Sequence, residues 1–159
     1  MKSIAFYESL GMTIIRERHF PEHKFSLYFL GSLSAEEVAA GGVPKDDEER
    51  AIFLNARFEP VLELTHNHGT ENEEEFSYYN GNESDRQGFG HVGFLVDDVF
   101  EACDEIGKLR YGFKKMPNDG NMKGLAFAKD PDGYLVEVIK RGGYDEAGTM
   151  PYYFEEEKV

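Results

Sequence analysis

The chain has no tryptophan and only one cysteine, Cys103, among its 159 residues. A lone thiol closes no internal disulfide, so a reducing, cytoplasmic setting is the expectation. Apolar runs are short: none approaches the roughly 18–20 residues of a membrane-spanning helix. The first residues, Met1-Lys2-Ser3-Ile4, carry neither the apolar stretch nor the small-residue cleavage site of a secretory leader. Positive charge is scarce as well, with 17 Lys and Arg against 31 Asp and Glu, a formal charge of −14. A surface of that sign repels phosphate backbones and anionic lipid heads, which argues against nucleic-acid and membrane partners. The sequence also lacks a glycine-rich phosphate loop, a nucleophile elbow and a CxxC pair.

What the chain does have is enough to build a core. Its length suits one compact domain, or two very small ones sharing a core, and apolar residues at 40%, with 13 Phe and 9 Tyr, exclude wholesale disorder. Residues 2–10 read as the later part of an amphipathic helix stopped by Gly11, and Met12 to Ile15 as a strand. Phe25, Leu27 and Phe29 alternate with Ser26, Tyr28 and Leu30 in a second strand. Residues 31–50 turn polar, with a short helix at 34–40 and an acidic run from Asp46 to Glu49. Further strands are expected over 51–58 and 61–65. Residues 66–88 form a long acidic loop, a length that usually signals function or disorder. Then come a strand at 89–96, a helix over 99–106 capped at Asp97-Asp98 and ended by Gly107, and strands over 111–115, 123–129 and 134–140. The turns Asn118-Asp119-Gly120 and Asp130-Pro131-Asp132-Gly133 join the last three.

The second half therefore runs strand-helix-strand-strand-strand, and the first half repeats this order without its opening strand. Setting Leu10-Gly11 against Ile106-Gly107 gives an offset of 96 residues. Each half ends in a strand holding one glutamate among aliphatics: Glu63 in the first, Glu137 in the second. A carboxylate in a core strand is costly to bury unless it is paired or holds a metal. With His91, which opens the apolar run 92–96, these two offer the oxygen and nitrogen donors that suit zinc, nickel or iron. His66 and His68, at i and i+2, form a second pair, but Asn67 and Gly69-Thr70 mark a loop entry and point them to solvent. His19 and His23 lie in a turn around Pro21 and read as surface residues. Cys103, mid-helix with no sign of activation, reads as a packed thiol.

Several segments together carry a resemblance. These are Leu62-Glu63-Leu64-Thr65-His66-Asn67, Gly88-Phe89-Gly90-His91-Val92-Gly93, Met122 to Phe127, and Asp130-Pro131-Asp132-Gly133-Tyr134 followed by Glu137. With Phe6-Tyr7, Leu10-Gly11-Met12 and Lys24 to Leu30, they resemble the glyoxalase I (lactoylglutathione lyase) family of the vicinal oxygen chelate superfamily. The likeness runs from about residue 3 to about residue 141, and the long loops are similar to those of its eukaryotic, zinc-using branch. It implies an α+β fold of paired βαβββ modules: 1–65 as a first module lacking its opening strand, 66–88 as the connection, 89–141 as the second module, and 142–159 as an acidic tail. It also implies a homodimer, with Glu63 from one subunit and His91 and Glu137 from the other holding Zn²⁺ or Ni²⁺. The implied reaction isomerises the hemithioacetal of methylglyoxal and glutathione to S-lactoylglutathione through an enediolate. By the same resemblance Glu137 is expected to be the main base and Glu63 to serve the opposite diastereomer.

The same resemblance assigns Asn67, Lys115, Asn121 and Met122 to glutathione, and Phe20, Phe25, Leu27 and Phe29 to the pocket for the aldehyde-derived group. For the aromatics, ordinary core packing is an equal reading. Where the family places a glutathione-binding arginine, four residues before the metal histidine, this chain has Gln87 with Arg86 beside it. Applying the offset of 96 to His91 puts its repeat mate ahead of Met1. A fourth ligand, glutamine, and a second arginine on that strand thus have no counterpart. The leading expectation is a lactoylglutathione lyase. The alternatives are a truncated, weakly active or non-catalytic homologue that binds metal or glutathione conjugates, or another vicinal oxygen chelate enzyme.

Overall fold

In the computed structural model, residues 2–85, 87–120 and 122–142 are described. Contacts sort the chain into two units, Gly11–Phe76 and Met1–Leu10 with Ser77–Val159.

The Gly11–Phe76 unit holds strands β1 (Thr13–Phe20), β2 (Phe25–Gly31) and β3 (Leu62–Asn67), and helices α2 (Ala35–Ala39) and α3 (Asp47–Asn55). The strands form an antiparallel sheet in the order β1-β2-β3. A bulge between Ile14 and Arg16 lets Ile15 tuck fully into the core beside Leu30. Two expectations need correction. First, β1 does not stop at Ile15 but runs to Phe20, so His19 lies in a strand rather than a turn. Second, the expected strand over 51–58 is largely α3. The Asp46 carboxylate accepts hydrogen bonds from the Glu48 and Glu49 amides at 2.9 and 3.2 Å, and the acidic first turn suits the positive end of the helix. The acidic run thus starts a helix, and the apolar residues behind it continue that helix. The short helix near 34–40 is present as α2, closed by a reciprocal Ser34–Glu37 capping box.

The other unit holds α1 (Lys2–Glu8), β4 (His91–Val96), α4 (Val99–Lys108), β5 (Phe113–Lys115), β6 (Leu125–Lys129) and β7 (Leu135–Lys140). Its sheet runs β4-β7-β6-β5, with β4 and β7 parallel and the other pairs antiparallel. Asp98 caps α4 through the Phe100 and Glu101 amides, as expected. The helix does not end at Gly107. It continues to Lys108, and Arg110 takes the left-handed turn at φ 63°. Val99, Ala102, Cys103 and Ile106 are buried on α4, as are Ala126, Ala128, Val136 and Val138 on the sheet. Burial pushes the Cys103 thiol up to about 11, in keeping with a packed, unreactive cysteine.

Helix α1 belongs to this unit, although residues 1–65 were expected to form one module. Aromatic contacts and a polar tie explain its position. Phe6 meets Tyr111 edge-on at 5.2 Å, and Tyr7 lies 5.9 Å from Phe94. The Tyr7 hydroxyl donates to buried Asp130 at 3.0 Å, and the Tyr111 hydroxyl donates to the Lys2 carbonyl at 3.1 Å.

Candidate active site

In the β4–β7 sheet the two-residue period decides which side chains meet. Val92, Phe94, Ala126, Ala128, Val136 and Val138 share one face. His91, Gly93, Phe127 and Glu137 share the other, because Gly93 pairs with Glu137 and Glu137 pairs with Phe127. His91 Nε2 lies 3.2 Å from Glu137 Oε2, with the imidazole 43% and the carboxylate 18% exposed. Gly93 lies directly beside the carboxylate: a Cβ there would meet Glu137 Oε2 at 3.7 Å, an ordinary packing contact. Phe127 packs edge-on to the His91 ring at 5.3 Å and fixes its plane. Among the described residues no lysine or arginine pairs with Glu137. One imidazole nitrogen and one carboxylate oxygen, close together and partly open, are two of the three donors of a kind that a catalytic zinc or nickel site takes.

The strand carrying His91 is held by the turn before it. The Asn82 amide donates to the Gly90 carbonyl, and Asn80 Nδ2 donates to the Gly133 carbonyl at 2.9 Å. Gly81 lies so close to the neighbouring backbone that a Cβ would fall 2.3 Å from the Phe89 carbonyl oxygen. A cleft of about 340 Å³ opens beside the pair, lined by Asn82, His91, Lys114, Lys115, Phe127 and Leu135. The expected substrate residue Lys115 is therefore on the cleft wall. Its ammonium donates to the Leu125 carbonyl at 2.7 Å, and partial burial holds it below the usual lysine range, against the opposing pull of Asp119. Met122 is 60% exposed and Gln87 is exposed. Arg86, Asn121 and the tail from residue 143 lie outside the described residues.

The β1-β2-β3 sheet places the remaining candidates. Phe29 pairs with Glu63, Leu27 with Thr65, and Phe25 with Asn67, so Glu63, Asn67, Phe25, Leu27 and Phe29 share one face. Beyond the bulge, Arg16, Arg18 and Phe20 of β1 pair with Phe29, Leu27 and Phe25 and join that face. Phe20 stacks on Phe25 at 4.7 Å, and the Arg18 guanidinium lies 4.9 Å from the Phe20 ring centre. Glu63 is exposed, so the expected cost of burying two strand carboxylates applies to Glu137 and not to Glu63. Arg18 and Asn82 were not foreseen. A period-two reading of β1 continued to Phe20 would have found Arg18.

Ser26, Tyr28 and His66 alternate onto the opposite face. There, buried Ser26 Oγ meets His19 Nδ1 at 2.9 Å and His68 Nε2 at 2.8 Å. His66 Nε2 meets Glu71 at 2.9 Å, and this contact is the main cause holding the Glu71 carboxyl down at about 2. These histidines thus have polar partners and lie across the sheet from Glu63. Among the described residues no group of three or more His, Cys, Asp or Glu gathers closely enough to hold a metal ion.

Known proteins share this layout. The family profile described as Glyoxalase/Bleomycin resistance protein/Dioxygenase superfamily matches residues 1–138. A lactoylglutathione lyase of Pseudomonas putida is 46% identical over 140 residues, covering 87% of this chain and 77% of its own length. A Schizosaccharomyces pombe protein of the same name is 43% identical over 139 residues, but the chain spans only 40% of it. The crystal structure of glyoxalase I from Zea mays superposes with a TM-score of 0.59 at 30% identity, over 88% of this chain and 40% of that one. With a family profile across most of its length and close relatives of one activity, the chain belongs to the glyoxalase/bleomycin resistance protein/dioxygenase superfamily.

Proposed function

We propose that the chain is a lactoylglutathione lyase, converting the hemithioacetal of methylglyoxal and glutathione to S-lactoylglutathione. The observation that carries this reading is the His91–Glu137 pair, 3.2 Å apart on adjacent strands beside a cleft. The chain holding it is 46% identical to a lactoylglutathione lyase. Glu63, His91 and Glu137 are the ligands of a zinc or nickel ion. Bound there, such an ion supplies the Lewis acidity that makes a proton next to a carbonyl removable.

The Glu137 carboxylate takes the proton from the carbon bearing sulfur and delivers it to the adjacent carbonyl carbon. The hydroxyl proton shifts between the two oxygens, so the product is an isomer of the substrate. Phe127 keeps the imidazole in place. Glu63 does the same proton transfer for the opposite diastereomer. A positioned base supplies about 10²–10⁴-fold of the acceleration. Asn67, Lys115, Asn121, Met122 and the neighbouring Arg86 and Gln87 are the residues for glutathione. Phe20, Phe25, Leu27 and Phe29 face the group derived from the aldehyde. The working unit is a homodimer, with Glu63 from one copy and His91 and Glu137 from the other. The compartment is the cytoplasm, in keeping with the single free thiol.

The test is turnover of preformed hemithioacetal, followed by thioester absorbance after chelation and re-addition of Zn²⁺ or Ni²⁺. Restored turnover that falls by at least about 10²-fold in Glu137→Gln is the expected result. A protein that retains metal yet turns nothing over overturns the proposal.

A further inference from the structure

Arg18 is a cation that the proton-transfer chemistry does not use. It projects from the face that carries Glu63, Asn67 and Phe25, with its guanidinium 4.9 Å from the Phe20 ring centre. The stacked Phe20–Phe25 pair gives that ring a fixed platform. The other arginine on this face is already used: Arg16 grips both carboxylate oxygens of Asp47, with Nε at 3.1 Å and NH2 at 2.8 Å. Arg18 adds only a longer-range attraction to Asp47, and among the described residues no carboxylate lies within ion-pairing distance of it. A guanidinium held over a ring by its carbon, with no carboxylate partner, has N–H donors left to offer, and its planar fork matches a carboxylate in a two-pronged contact.

The register gives the scale. Arg18 pairs with Leu27, which pairs with Thr65, one same-face position along β3 from Glu63. That separates the two backbone positions by about 10 Å across the sheet and about 7 Å along it, before two long side chains reach inward. An extended tripeptide spans about 10 Å, so a substrate reacting near Glu63 brings a terminal carboxylate within range of Arg18. In a chain with a formal charge of −14, an open cation on the reacting face is also the feature that offsets repulsion of an anionic substrate.

We propose that Arg18 binds a carboxylate of the substrate, an anion subsite on the Glu63 face. The inference rests on the lyase reading. Two sources share the chemistry: a carboxylate of the thiol tripeptide, or an acid tail on the 2-oxoaldehyde. Arg18 is exposed, so its variants are expected to fold, and thermal unfolding checks this.

Two measurements test the assignment. In the first, S-methylglutathione and its diethyl ester are titrated by calorimetry into the metal-loaded protein, its Arg18→Gln variant and its Arg18→Lys variant. In the second, kcat and KM are compared for glutathione hemithioacetals of methylglyoxal and of a 2-oxoaldehyde ending in a carboxylate. If the tripeptide is the source, Arg18→Gln weakens binding of the acid by roughly 10-fold or more, with the ester unaffected and Arg18→Lys intermediate. If the aldehyde tail is the source, the loss appears as a higher KM for the acid-tailed substrate alone. Equal affinity of wild type and Arg18→Gln for the acid, with no KM difference for the acid-tailed substrate, overturns the assignment. The titration does not require turnover, so failure of the lyase reading, seen as inactivity of the wild type, is told apart from failure at Arg18.

Discussion

Gly81 shows how one backbone position sets the site. A methyl group there would fall 2.3 Å from a backbone oxygen that has no freedom to rotate away, whereas at Gly88 it would meet the Tyr79 ring at an ordinary 3.6 Å. Gly81→Ala is therefore expected to destabilise the protein by about 1–3 kcal/mol, as overpacking does. The strain falls on the segment leading to His91, so metal affinity should drop as well. Gly88→Ala should be much milder in both respects. Denaturant unfolding and metal titration of the two variants check this, and equal effects would contradict the close approach at Gly81. At this scale the sequence was informative about His91 and Glu137, because a charged or imidazole group inside an apolar strand stands out. It was silent on Gly81, which looks like any turn glycine until the backbone against it is seen. Arg18 was legible only in a strand continued past Ile15: alternation back from Phe20 puts Arg18 on the face of that ring.

Elements were legible wherever period and punctuation agreed. The alternation in β2, the Asp98 cap of α4 and the Asp-Pro-Asp-Gly turn each fixed its element. At α3 the two signals conflict: the apolar residues within 51–58 suit a strand, but Asp46 and the three acidic residues after it name a helix start, and the cap prevails. The place of α1 depends on a tertiary tie that local pattern does not encode. Burial raises the pKa of Asp130, against the lowering effect of donors that include Tyr7, while burial and the Asp130 charge hold the Tyr7 phenol far above its usual range. Tyr7→Phe removes one donor and drives Asp130 further up. A carboxyl whose folded pKa exceeds its unfolded value contributes stability below the unfolded value and loses it as pH rises through the folded one. The variant should thus be weaker by about 1–3 kcal/mol at pH 7, with the deficit shrinking as pH falls toward the ordinary carboxylate range. Urea unfolding at several pH values reads this out, and a deficit independent of pH would mean that only packing was lost.

At the scale of the whole molecule, the acidic composition and the local cations pull an anionic substrate in opposite directions. The charge of −14 acts over a distance, and salt decides how far. The screening length is about 30 Å at 0.01 M and about 10 Å at 0.1 M salt, so moderate salt removes most of the repulsion felt on approach. A contact such as that assigned to Arg18 works at touching distance beside an aromatic ring and is screened less. Raising KCl from about 0.01 to about 0.1 M is therefore expected to increase kcat/KM for the glutathione hemithioacetal by roughly 2–5-fold. The diethyl ester, which no longer carries the two carboxylates, should show little gain or a small loss. If kcat/KM for the acid instead falls with salt, local cations outweigh the net charge, and the steepest fall should then disappear in Arg18→Gln. The sign of one slope, measured on two thiols, thus tells which of the two fields the substrate experiences.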